Sequence, residues 1–202
     1  MDSSPSEPTR PAHLDPDLRQ DLVKIVICGG LGTGKTTLIS SVSEIAPAHT
    51  EETMTEAGRP MDDLAHLPDK STTTVMMDFG RRTLSDDLVL YLFGTGGQKR
   101  FASLWRDVAS GALGALVLVD TRRLDVSFDA LDLAEMTGLP YIVAVNDFPD
   151  SPQVSEPVLR DHLDLAGGTP VVRCRALDPA SVLEALIELL QHAMTHQQKV
   201  AA

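Results

Sequence analysis

The chain has 202 residues, enough for one domain with a sizeable buried core. Hydrophobic residues make up 43% and charged residues 23%, the balance of a soluble globular protein. A net charge of −12 argues against a nucleic-acid surface, so any phosphate site must be local, built from backbone N–H groups and one or two cations.

Residues 1–20 open with MDSSPSEPTRPAHLDPD, rich in Pro, Ser and acid. Such a segment cannot repay its ordering entropy and reads as a disordered tail, leaving one domain over 21–198. LVKIVIC (22–28) suits a buried strand, and KTTLISSVSEI (35–45) follows at helical spacing. Residues 46–73 have weak periodicity and read as a long loop, a length that is usually functional. TVMMDF (74–79) and DLVLYLF (87–93) read as an antiparallel strand pair turning near Gly80–Asp86. ALGALVLVD (112–120) and YIVAVN (141–146) are further buried strands, separated by a helix in SFDALDLAEMTG that stops at Gly138. PVVRCRA (170–176) is a last strand. A long amphipathic helix then opens with Asp178 as N-cap and Pro179 at the first helical position. Strands alternating with helices imply an α/β fold with a mostly parallel sheet flanked by helices.

No apolar run approaches the roughly 20 residues that span a bilayer, and the start lacks a signal-peptide layout. Cys28 and Cys174 form no metal or redox spacing. The expected setting is therefore the cytoplasm. His192 and His196 lie four apart on the last helix with no third ligand evident, and read as a solvated face. Trp105, in FASLWRDV, belongs either to the core or to a partner surface. Arg122 and Arg123 serve a partner, the nucleotide or a surface ion pair.

GGLGTGKTT (29–37) fits the phosphate-loop pattern G-x-x-x-x-G-K-[ST] through Gly29, Gly34, Lys35 and Thr36, between a strand and a helix. Glycines let the backbone wrap phosphate oxygens, so Gly29, Gly30, Gly32, Thr33, Gly34 and Thr37 join Lys35 and Thr36 as binding candidates. Lys35 can bridge the outer phosphates, and Thr36 can place its hydroxyl on Mg²⁺. Downstream, Thr74 is the best-placed residue to cap Mg²⁺ and the terminal phosphate, with Thr73 second. In FGTGGQ, Gly97 can give its N–H to that phosphate and Gln98 can orient an attacking water.

A phosphate loop, a Thr before the second strand, T-x-G-Q after the third and Asn146 after the fifth together resemble the Ras-like small GTPase superfamily. KSTTTVMMDFGR, DLVLYLFGTGGQKRF and GALGALVLVDTRR resemble more closely the small GTPases of bacterial conservons, related to the polarity GTPase MglA. The likeness covers about residues 22–195. It implies GTP or GDP with Mg²⁺ as ligands and a signalling role. It also implies a roadblock-type partner and a sensor-kinase-like membrane protein, with any membrane recruitment coming through partners.

The family habit of F-G-T puts Gly94 where the wider superfamily has an aspartate. Mg²⁺ thereby loses an outer-shell partner, and weaker metal-dependent nucleotide retention is expected. Asp120, ending LVLVD, either compensates or is a solvated residue closing a strand, the latter being the favoured expectation. Gly96 stands where a Pro is usual, making the loop more flexible. Leu31 stands where Ras-type proteins carry Gly and would crowd a trans-acting arginine finger, so slow hydrolysis is expected.

The guanine-reading motif N-K-x-D is degraded in VNDFPD, with Asp147 at the Lys position and Pro149 at the acid position. Guanine N1–H and N2–H₂ call for a carboxylate, which Asp150, one residue late, can supply if the loop adjusts. Of the base-backing loop only Ala176 survives, with its N–H available to the guanine oxygen. The leading expectation is a slow GTPase switch with Lys35, Thr74 and Gln98 in the chemistry. The alternatives are a non-hydrolysing pseudo-GTPase adaptor and, with less support, a P-loop ATPase or small-metabolite kinase.

Overall fold

The computed structural model describes residues 20–46, 48–54, 73–97 and 102–201. Among these, seven strands form one sheet: β1 (Asp21–Cys28), β2 (Ala48–Met54), β3 (Thr73–Ser85), β4 (Leu88–Thr95), β5 (Gly114–Val119), β6 (Tyr141–Asn146) and β7 (Val171–Cys174). The described helices are α1 (Lys35–Val42), α2 (Ala102–Ala109), α3 (Phe128–Thr137), α4 (Glu156–His162) and α5 (Pro179–Ala201). The strand order is β2-β3-β4-β1-β5-β6-β7. β2–β3 and β3–β4 are antiparallel, and the other pairs are parallel. This is the mostly parallel, helix-flanked α/β sheet expected from the alternating elements.

Strand alternation divides the core into two layers. Ile25 and Ile27 of β1 face α1 and α5, meeting Leu38, Ile39, Leu186 and Leu189. Val26 and Cys28 face the other way, toward Trp105 of α2, Leu131 of α3 and Leu159 of α4. Strands buried on both faces need apolar residues at every position, which is why β1, β5 and β6 read as continuous hydrophobic runs. Trp105 is 1% exposed and belongs to the core. α3 ends at Gly138, whose φ of 65° is the left-handed cap conformation. Asp178 caps α5 as expected: its Oδ1 accepts the Ala180 N–H at 3.1 Å. No helix among the described residues is long and apolar enough to cross a membrane.

Three elements differ from the sequence expectation. Residues 48–54, read as loop, form edge strand β2, hydrogen-bonded to β3 from Ala48↔Phe79 to Met54↔Thr73. β3 runs on to Ser85, past the expected turn, because its residues stay paired with β4 as far as Ser85↔Leu88. α4 was not anticipated, as Leu159 is its one buried residue. The expected tail, apart from Gln20, lies outside the described residues, as do positions 55–72.

Leu186 is fully buried, whereas Leu177 is 84% exposed. Leu186→Ala should therefore cost about 2–5 kcal/mol by urea denaturation, since it opens a cavity under the sheet. Leu177→Ala should stay within about 0.5 kcal/mol.

Candidate functional site

β1 lies between β4 and β5, so the strand order reverses at its C-terminal end, where ligand crevices form in open α/β sheets. The loop 29–34 leaves β1 there and enters α1, with Gly34 as N-cap at φ 101°. Two approaches require glycine. At Gly29 (φ 151°) a Cβ would lie 2.3 Å from the Leu118 carbonyl oxygen, and at Gly34 it would lie 2.6 Å from Asn146 Nδ2. Lys35 Nζ donates to the carbonyls of Gly29 at 3.0 Å and Gly30 at 2.8 Å. Thr33 Oγ1 also donates to Gly30 at 3.0 Å. Burial holds the Lys35 ammonium below its ordinary pKa, opposed by the nearby Cys28 and Asp78. Leu31, on the same loop, is 73% exposed.

The segment after β4 reaches back to this loop: Gly97 N–H donates to the Gly29 carbonyl at 3.1 Å. The N–H assigned to a terminal phosphate therefore rests on the phosphate loop itself. Thr36 Oγ1 donates to Asp78 Oδ2 at 2.6 Å. Asp78 was not among the expected site residues, having read as an interior residue of a strand. The clue was a lone carboxylate in VMMDF, one strand away from the position that lacks its acid. Thr74, expected before the strand, lies within β3 opposite Thr53. At the usual strand rise it stands about 13 Å along β3 from Asp78. Gln98 lies outside the described residues.

The Thr36 hydroxyl and the Asp78 carboxylate are hard oxygen donors and fit Mg²⁺, which takes one or two protein oxygens and completes its shell with phosphates and waters. Among the described residues no group of three or more His, Cys, Asp or Glu gathers as a self-sufficient metal site. Burial pushes the Cys28 and Cys174 thiols up to about 12, so neither is a thiolate nucleophile near neutral pH.

On the base side, Asn146 is 3% exposed and ties two loops together. Its Nδ2 donates to the Thr33 carbonyl at 2.9 Å, and its Oδ1 accepts the Ala176 N–H at 3.0 Å. The Ala176 N–H expected to meet guanine is thus already engaged. Asp150, the expected base reader, accepts from Arg122 Nη1 at 2.7 Å, and Asp147 accepts from Arg173 at 3.0 Å. Asp120 is not a solvated strand end: it is 3% exposed and takes hydrogen bonds from Arg122 Nε, Nη2 and backbone N. Burial raises the Asp120 pKa, but Arg122's hydrogen bonds and charge outweigh it and hold the carboxyl below its usual range. The Arg122 guanidinium also lies 3.7 Å from the centre of the Phe148 ring. A cavity of about 310 Å³ lies instead between α2 and α3, lined by Trp105, Arg106, Leu133, Met136 and Leu139.

Asn146→Ala should destabilise the chain by about 2–4 kcal/mol in a denaturant melt, because it orphans a buried carbonyl and a buried N–H. The Asp120 carboxyl is depressed in the folded state, so its stabilisation is present above the unfolded pKa and lost as pH falls through the folded value. Asp120→Asn should therefore narrow the gap between urea midpoints measured at about pH 7 and about pH 3.

A family model described as conserved hypothetical ATP binding protein matches residues 27–196. The chain is 28% identical over 131 residues to an uncharacterized protein of Methanocaldococcus jannaschii, covering 64% of this chain and 72% of that one. It is 25% identical over 205 residues to the Ras-related protein Rab-32 of Mus musculus, covering 91% and 80%. Among solved structures, the G domain of the T. maritima FeoB iron transporter aligns with a TM-score of 0.58 at 17% identity, covering 86% of this chain and 99% of that one. A GDP-bound S. thermophilus NFeoB mutant aligns with a TM-score of 0.58 at 18% identity, covering 84% and 60%. These structural matches establish a shared G-domain fold. With its phosphate loop at the switch point of that fold, the chain belongs to the family of conserved hypothetical ATP binding proteins.

Proposed function

We propose that the chain is a guanine-nucleotide-dependent signalling switch that hydrolyses GTP slowly with the help of Mg²⁺. The observation that carries this reading is the double use of the Gly29 carbonyl, which accepts from Lys35 and from Gly97. A terminal phosphate would compete for both donors, so its arrival or loss would change what Gly97 rests on. Lys35, Thr36 and the 29–34 backbone hold the phosphates. Thr74 and Gln98 take the terminal phosphate and the attacking water, on the strength of the sequence resemblance. When bound, Mg²⁺ would supply charge neutralisation at the outer phosphates, and the Thr36 hydroxyl would help to hold it. The resemblance to Rab-32 and to a GDP-bound G domain supports the guanine nucleotide. A roadblock-type protein is the proposed partner and the route to a sensor-kinase-like complex at a membrane.

A second reading is an adaptor with weak or unselective nucleotide binding. It is favoured by the base side, where Asp147, Asp150 and the Ala176 N–H all have partners within the chain. The family description, which names ATP, favours instead the P-loop ATPase alternative.

Titration of nucleotide-free protein with fluorescent GDP, GTP and ATP, with and without Mg²⁺, separates the two. Guanine-selective binding strengthened by Mg²⁺ is expected, and weak binding without base preference would select the adaptor. Gln98→Ala should lower the single-turnover hydrolysis rate and leave binding unchanged. Equal rates would remove Gln98 from the reaction.

A further inference from the structure

Gly94 and Asp78 are direct partners in the antiparallel β3–β4 ladder. Directly opposed residues project side chains to the same face of a sheet. A Cβ built on Gly94 would lie 3.0 Å from Asp78 Cβ and 3.2 Å from Asp78 Oδ2. Ile39 Cδ1, 2.6 Å from that Cβ, and the Asp78 side chain together fill the space into which a side chain at 94 would project. An acid at 94 would set like charge directly opposite the Asp78 carboxylate, an arrangement that destabilises a strand pair. Asp78 is 9% exposed, and the Thr36 hydroxyl donates its one proton to it at 2.6 Å. The Thr36 oxygen keeps its lone pairs for a cation.

We propose that Asp78 is the acidic partner of the divalent cation that accompanies the nucleotide, moved one strand over from the position that Gly94 leaves empty. The inference rests on the nucleotide-binding reading above. It replaces the expectation that metal-dependent retention is weak, and it relieves Asp120 of that role. Asp120 is held by Arg122, whereas Asp78 holds the Thr36 hydroxyl, which would help to hold the cation. A side chain at 94 would have to displace Ile39 or the Asp78 carboxylate, which suits a glycine there.

The test is the dissociation rate of fluorescent GDP, with fluorescent ADP in parallel, from the full chain in excess Mg²⁺ and in EDTA. In the unaltered chain Mg²⁺ should slow dissociation by about tenfold or more, and Asp78→Asn should lose most of that factor while its EDTA rate stays unchanged. Asn keeps the volume and the bond to Thr36, so thermal melts should remain close to those of the parent. The exchange Asp78→Gly with Gly94→Asp should restore the Mg²⁺ effect, whereas Gly94→Asp alone should destabilise the chain.

An Asp78→Asn variant that keeps the full Mg²⁺ effect would overturn the proposal. Slower dissociation of that variant in both conditions would also overturn it, since Asp78 would then be an obstacle to nucleotide. Binding by the parent chain with no Mg²⁺ effect would sink this inference alone. No uptake of either nucleotide would sink the nucleotide reading together with it.

Discussion

The carbonyl oxygen of Gly29 accepts from the Lys35 ammonium at 3.0 Å and from the Gly97 amide at 3.1 Å. A carbonyl has two lone pairs, and here both are used. Gly29 can hold this position only because it has no side chain, since a Cβ would lie 2.3 Å from the Leu118 carbonyl oxygen. One backbone oxygen thus joins the end of β1, the start of α1 and the segment after β4. Lys35 is the charged member of this set. Its burial disfavours the ammonium, and neutral carbonyls compensate less well than an anion would, because charge-assisted hydrogen bonds are the stronger kind. The loop is therefore satisfied as it stands, yet it would gain more from a phosphate than from its own backbone. That difference is what can couple phosphate occupancy to the position of Gly97.

The same features decide what could be read before the fold was seen. The phosphate loop was legible because its backbone shape is written in glycine spacing and its charge in one lysine. β1, β5 and β6 were legible because burial on both faces demands apolar runs, and α3 and α5 because Gly138 and Asp178 are strong end signals. β2 was not legible, because AHTEETM is held as an edge strand by its ladder with β3 and needs no apolar alternation. Asp78 was hidden for a related reason. Its role depends on which residue of β4 faces it and on Thr36, which is 42 positions away in the chain. Register of that kind is a property of the folded sheet: VMMDF shows a lone carboxylate but not the residues that it faces. Asp120 misled in the opposite direction: a strand-end aspartate reads as solvated until Arg122 folds back over it.

The base side shows how much can depend on one arginine. Arg122 contacts both carboxylate oxygens of Asp120, one oxygen of Asp150 and the face of Phe148. The two ion pairs differ in kind. Asp120 is buried, and removing its partner would leave an uncompensated charge in the interior, so this pair holds firmly. The Asp150 side chain is 71% exposed, and an ion pair of that sort contributes little because water and salt compete for both ends. Arg122 therefore has one fixed and one exchangeable partner, and Asp150 can leave without loosening the turn after β5. A guanine, which offers two N–H donors to a carboxylate, can compete for Asp150, whereas an adenine gives it no such reason to move. Under the proposed guanine reading, base preference would turn on how readily Asp150 leaves Arg122. Asn146, buried between the Thr33 carbonyl and the Ala176 amide, keeps both loops in place in either case.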